Sequence, residues 1–254
     1  MNYKLSQIPE RTKKPRERGI TMVMDKGLSL RETEDFIEAS AAYVDLVKIG
    51  FGTSYVTPNL KEKLKLYRDA GLHYYFGGTL FEAFIIRNNF EGYKNLMEEF
   101  ELRFVEVSDG CIEIDHELKC DYISQLAEKA IVLSEVGSKD DKVILPPYVW
   151  VELIENELNA GSWKVIAEAR ESGSVGIYRG DGEVRMGLID EILHKIEGSK
   201  ILWEAPQKAQ QAWFIKLQGH NVNLGNISPN DVIPLETLRV GLRGDTFFDF
   251  LDKK

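Results

Sequence analysis

Eight short apolar runs, each followed by an amphipathic stretch, recur at intervals of roughly 25–35 residues, the size of a strand–helix repeat. Ile20–Lys26 reads as the first strand, and Ser29 with Glu32 three residues on forms a capping box for the helix that follows. Further strands are expected at Val44–Gly50, Tyr74–Thr79, Phe104–Ser108, Ile131–Val136, Lys164–Ala169, Ile201–Glu204 and Val222–Leu224. The intervening segments carry a helical period, with Leu80–Phe100 read as one long helical stretch. Strands alternating with helices imply a parallel sheet, and eight of them in a chain of 254 residues imply a closed (β/α)8 TIM barrel. A doubly wound open sheet is the alternative, weakened because no glycine-rich dinucleotide fingerprint follows the first strand. No linker or low-complexity tract interrupts the pattern. Residues 1–254 therefore read as one domain, with residues 1–18 as an N-terminal extension.

In such a barrel, chemistry belongs at the C-terminal ends of the strands. Read in order, those ends offer Asp25-Lys26; Lys48 with Thr53 and Ser54; Gly77-Gly78-Thr79 with Glu82; Glu106, Ser108 and Asp109; Glu135, Ser138 and Lys139; Glu168, Arg170 and Glu171; Glu204; and Asn223, Gly225 and Asn226. Carboxylates inside apolar strands are costly to bury alone, so each needs a cation, a metal or hydrogen-bond donors. A hard divalent ion such as Mg2+ suits two or three carboxylate oxygens together with substrate phosphate. A purely structural ion-pair network is the competing reading for any single residue, but the charges recur at the same end of nearly every strand. Gly50–Ser54 and Gly77–Thr79 offer backbone amides and hydroxyls for an anion, or simply the glycines of tight turns. Gly225-Asn226 falls where many barrels hold phosphate.

The net charge of −9 argues against a nucleic-acid partner while leaving room for a local basic site. Met1 to Arg18 lacks an apolar core of the signal-peptide kind, and no apolar run is long enough to span a membrane. Cys111 and Cys120 have no metal-ligand spacing and read as thiols in a reducing compartment. A cytoplasmic protein is expected. His73, His116, His194 and His220 fall on helix ends or loops, which leaves Lys139 as the better proton donor or acceptor.

Several blocks resemble the phosphosulfolactate synthase family: Lys14-Pro15-Arg16 with Gly19-Ile20-Thr21 and Asp25-Lys26-Gly27; Lys48-Ile49-Gly50-Phe51-Gly52-Thr53-Ser54; Gly77-Gly78-Thr79-Leu80-Phe81-Glu82; Phe104-Val105-Glu106-Val107-Ser108-Asp109-Gly110; Glu135-Val136-Gly137 with Lys139; Ile201-Leu202-Trp203-Glu204; and Asn223-Leu224-Gly225-Asn226-Ile227. The resemblance implies a Mg2+-dependent lyase that adds sulfite to phosphoenolpyruvate, giving (2R)-phospho-3-sulfolactate, the opening step of coenzyme M synthesis in methanogens. It implies Lys139 as the acid. Asp25, Glu106 and Glu135 become candidate metal ligands or their supports, with Lys48, Arg170 and Gly225-Asn226 holding phosphate or sulfite. Another lyase or aldolase acting on a phosphorylated acid, and a non-catalytic heat-stress-type relative, stay open as alternatives. A homo-oligomer is expected.

Overall fold

The computed structural model describes residues 3–137, 145–169 and 172–252. Ser138, Lys139, Arg170 and Glu171 lie outside the described residues. Eight parallel strands alternate with helices: β1 (Thr21–Asp25), α1 (Leu30–Ser40), β2 (Leu46–Ile49), α2 (Leu60–Asp69), β3 (His73–Phe76), α3 (Gly78–Ile85), α4 (Phe90–Glu99), β4 (Phe104–Val107), α5 (His116–Ala127), β5 (Ile131–Val136), α6 (Pro147–Asn159), β6 (Ser162–Ala167), α7 (Met186–Lys195), β7 (Ile201–Glu204), α8 (Lys208–Gln218), β8 (Leu224–Ile227) and α9 (Val232–Arg239). The expected (β/α)8 TIM barrel is what the chain forms. The sheet runs β3-β2-β1-β8-β7-β6-β5-β4. No ladder joins β3 to β4, and the ring closes there by packing. His73 and Phe104 meet at 4.9 Å between ring centroids on one side of that seam.

Alternation along each strand sorts side chains between the barrel interior and the helix-facing side. Ile20, Met22, Leu46, Tyr75, Phe104, Leu133, Ile166 and Leu202 form an apolar layer inside the ring. The other, larger core lies between sheet and helices and includes Val23, Val47, Phe76, Val105, Val165 and Trp203. A step of two residues from the inner layer toward the strand ends reaches Lys48, Glu106, Glu135, Glu168 and Glu204. The period that packs the core therefore also stacks the charges above it.

Several elements depart from the sequence-based bounds: β3 ends at Phe76, so that Gly78 and Thr79 open α3, and β6 runs Ser162–Ala167, two residues earlier than expected. The stretch expected as a single helix over Leu80–Phe100 divides into α3 and α4, because Asn88 takes a left-handed φ of 52° and the Asn89 side chain accepts the Gly92 N–H to cap α4. The eighth strand starts two residues late. Asn223 instead sits at its base, where its side chain accepts the Ile20 N–H and donates to the carbonyls of Ser199 and Ile201. It is therefore remote from the mouth where its place in the sequence suggested it. Within β8 the pairing with β1 gains one residue between Leu224 and Ile227, and Asn226 adopts a φ of 55°. This is a bulge that bends the strand and redirects a side chain.

The N-terminal segment closes the opposite end of the ring. Arg16 Nε donates to both carboxylate oxygens of Asp45, at 2.9 and 3.0 Å, and Arg11 Nε donates to Glu236 at 2.8 Å. Lys164 reaches the carbonyls of Glu17 and Ser199. Among the described residues no helix is long and apolar enough to cross a membrane.

Candidate active site

At the C-terminal mouth of the ring lies a cavity of about 450 Å³ whose lining includes Lys48, Glu106, Glu135, Glu168 and Glu204, together with Thr79 and Asn226. None of the five charged residues is more than 6% exposed, so their charges must be answered locally. Lys48 stands among the carboxylates, its Nζ 3.0 Å from Glu106 Oε2, 3.5 Å from Glu204 Oε1 and 3.6 Å from Glu135 Oε2. Burial works against the ammonium, but Glu106, Glu204 and Glu135 outweigh it and hold the lysine well above its ordinary value. Lys48 is a fixed positive charge at neutral pH.

The carboxylates divide into two kinds. Glu106 is fully engaged: Lys48 faces one oxygen and the Gly78 N–H donates to the other at 2.5 Å. That bond crosses the β3/β4 seam and requires glycine at 78, since a Cβ there lies 2.9 Å from Glu106 Oε1 and 2.2 Å from Ser108 Oγ. Glu135, Glu168 and Glu204 instead bring one oxygen each to within 4.8 Å of one another, a spacing that can hold a metal ion. Glu204 keeps its second oxygen on the Ala169 N–H at 2.8 Å. Burial raises the Glu204 carboxyl, Lys48 opposes it and Glu135 adds to it, leaving it at about 7. Burial likewise raises Glu106 against the pull of Lys48. Hard, buried oxygen donors at this spacing fit a divalent cation.

The sequence-derived candidates separate on geometry. Lys48, Glu106 and Glu135 meet in the cavity wall with Gly78, Thr79 and Asn226. Asn226 is buried, and its Oδ1 has no hydrogen-bond partner among the described residues. Gly225 pairs with Glu204 inside the ladder rather than forming a loop. Asp25 does not join the others. It follows Met24 on β1 and so points outward, where it accepts from Tyr67 at 2.8 Å, pairs with Lys63 at 2.5 Å, and takes the N–H groups of Gly27 and Leu28. Its oxygens organise the first strand–helix turn, and that one-residue parity keeps Asp25 apart from the other expected metal ligands, Glu106 and Glu135. Thr53 hands its hydroxyl to the Gly50 carbonyl, and Ser54 lines a separate, more apolar hollow beside Phe51 and Leu80. The Ser108 hydroxyl is spent on Glu82, whose other oxygen takes the Cys111 N–H. Glu168 and Glu204 stood in the strand-end series but were not chosen as metal ligands. Their step of two from Ile166 and Leu202 is the signal that marks them.

A barrel with charged groups and a cavity gathered at its C-terminal mouth defines the broad class: a (β/α)8-barrel enzyme. Within it, residues 9–245 match the model of the (2R)-phospho-3-sulfolactate synthase (ComA) family, and the chain belongs to that family. It is 40% identical over 251 residues to the phosphosulfolactate synthase of Bacillus subtilis (strain 168), covering 98% of this chain and 100% of that one. The phosphosulfolactate synthase of Methanothermobacter thermautotrophicus is 42% identical over 244 residues, covering 94% of this chain and 95% of its own. Among solved structures, 3-hexulose-6-phosphate synthase from Salmonella typhimurium shares the fold, with a TM-score of 0.59 and 11% identity over 88% of this chain and 100% of that one.

Proposed function

We propose that this chain catalyses Mg2+-dependent addition of sulfite to phosphoenolpyruvate, giving (2R)-phospho-3-sulfolactate, as a carbon–sulfur lyase of its family. The observation that carries this reading is the grouping of Glu135, Glu168 and Glu204 beside Lys48 in one buried cavity. Among the described residues that line it, four carboxylates face a single ammonium. Two anionic reactants are repelled by such a site until a divalent cation offsets its negative charge.

In the reaction, the sulfite sulfur forms a bond to the methylene carbon of the enol phosphate. The π electrons move toward C2 and the substrate carboxylate, and a proton then bonds C2; no group leaves. Glu135, Glu168 and Glu204 would hold the cation, which would supply Lewis-acid stabilisation for the charge that collects on that carboxylate. Lys48 orients an anionic oxygen and, held charged by its neighbours, is a poor proton donor near neutral pH. Proton delivery is assigned to Lys139, which lies outside the described residues. Arg170, also outside them, joins Lys48 in holding phosphate or sulfite. The Thr79 hydroxyl and the Asn226 amide N–H groups donate to the same oxygens from the cavity wall.

The test is to incubate the chain with Mg2+, phosphoenolpyruvate and sulfite and to follow the enol absorbance. Sulfite-dependent loss of that absorbance, abolished by EDTA and restored by Mg2+, is expected. Phosphoenolpyruvate that survives with sulfite as it does without it would sink the reading. Lys139→Ala is expected to remove turnover while leaving thermal unfolding unchanged; retention of a near-wild-type rate assigns the proton to another group.

A further inference from the structure

On the outer side of the sheet, α5 carries a buried lysine that the proposed reaction does not use. Lys119 is 1% exposed, and its ammonium donates to Asp109 Oδ1 at 2.8 Å and to the Glu135 main-chain carbonyl at 2.6 Å, and forms an ion pair with Glu157 Oε1 at 2.7 Å. Two of its N–H groups are thus hydrogen-bonded, and the Glu157 carboxylate balances its charge. Burial alone would discharge this lysine, yet Glu157 and Asp109 reverse that effect and keep it charged.

The Glu135 carbonyl links Lys119 to the mouth of the barrel. Carbonyls along a parallel strand turn alternately to its two neighbours. The Val136 carbonyl accepts the Glu168 N–H on the β6 side, so the Glu135 carbonyl turns toward β4. There β4 has run out, since its pairing with β5 ends at Val107 opposite Ser134. A longer β4 would supply the next rung from its own backbone. Lys119 takes that place, held there by the Asp109 carboxylate from the chain just beyond β4 and by Glu157 from α6. The main chain of Glu135 is thereby tied from outside, while its carboxylate stands inside with Glu168 and Glu204.

We propose that Lys119 is a positioning residue for the divalent-cation site: it substitutes for the missing ladder rung and so sets where the Glu135 carboxylate stands. This rests on the reading that Glu135, Glu168 and Glu204 bind a divalent cation. The step runs through one backbone carbonyl, and outer supports of metal ligands typically govern affinity by about 10–100-fold.

The experiment uses the full metal-free chain and Mn2+ as probe, with free Mn2+ read by electron paramagnetic resonance. The double variant Lys119→Met/Glu157→Gln removes the ammonium together with the buried carboxylate nearest to it, and is expected to weaken Mn2+ binding about tenfold or more. Glu157→Gln alone keeps the ammonium on Glu135 and is expected to bind within about threefold of wild type, far short of an outer-support loss. A purely structural role predicts a lower unfolding temperature with unchanged Mn2+ affinity in the folded double variant, and that result overturns the proposal. Should the double variant not fold, Asp109→Asn loosens the same tie from a partly exposed position. It is expected to weaken Mn2+ binding about fivefold, beyond the margin allowed to Glu157→Gln and below the full support effect; a change there no larger than that of Glu157→Gln also overturns the proposal. Equal binding by wild type and variants removes this proposal alone, whereas a wild type that binds no Mn2+ removes the cation reading and this proposal together.

Discussion

Single residues in the mouth act through charge that water cannot reach. In the metal-free protein, Glu204 at about 7 lies above the ordinary carboxyl value of 4.5. The folded state thus holds a proton that the unfolded chain releases earlier. The contribution of this group to stability is complete below about 4.5 and is lost as pH rises through about 7. The same proton competes with metal, so Mn2+ affinity is expected to rise with pH up to about 7 and then level off, measurable by titration between pH 5.5 and 8.5, roughly the range that brackets that value. A pH-independent affinity contradicts the assignment of Glu204 as a ligand. Lys48→Met leaves Glu106 without its cation and is expected to cost about 3–5 kcal/mol in urea unfolding at neutral pH. Residue-level legibility turned on parity. Glu106, Glu135 and Lys48 were readable as strand-end charges, and so were Glu168 and Glu204. Asp25 stood in the same series, but a single step along β1 sends its side chain to Lys63 and Tyr67 rather than into the ring. Sequence shows a charged residue at a strand end without showing which face it takes.

Elements carry the next set of consequences. The capping box at Ser29, legible from Ser29 and Glu32 alone, is present as written, with each side chain bonded to the other's backbone N–H. Ser29→Ala is expected to cost about 1 kcal/mol, seen as a lower urea midpoint with kcat unchanged. The bulge in β8 was not legible, because an extra residue in one strand is defined only by its partner, here β1. It places Asn226 at a left-handed φ with a buried carboxamide oxygen in the wall of the cavity. Asn226→Gly keeps the backbone free to adopt that φ while deleting the amide. It is expected to raise the KM for phosphoenolpyruvate about tenfold, the worth of a hydrogen bond to a charged group, with stability changed by less than about 1 kcal/mol. An unchanged KM removes Asn226 from the substrate site. The division of α3 from α4 was hidden for a different reason: both halves keep a helical period, and the break rests on the conformations of Asn88 and Asn89.

For the whole molecule, the eight-fold alternation was sufficient to indicate a barrel, because parallel strands joined by helices have few ways to cover both faces of their sheet. The N-terminal segment, read from sequence only as an extension, proves to bind the base of the ring through Arg11, Arg16 and the carbonyl of Glu17. Arg16→Ala is expected to lower the unfolding temperature by roughly 5 °C, from a loss of about 2 kcal/mol, with kcat/KM unaffected because the segment lies at the end opposite the cavity. The unladdered boundary between β3 and β4 has a consequence of its own. Elsewhere, neighbouring strands are zipped by backbone bonds, whereas here the circumference is fastened above by Gly78 on Glu106 and below by aromatic contact. A hoop with one clasp can change its girth there, so whatever ligand stiffens Glu106 should slow deuterium uptake along both lips of the clasp before it does so anywhere else on the ring.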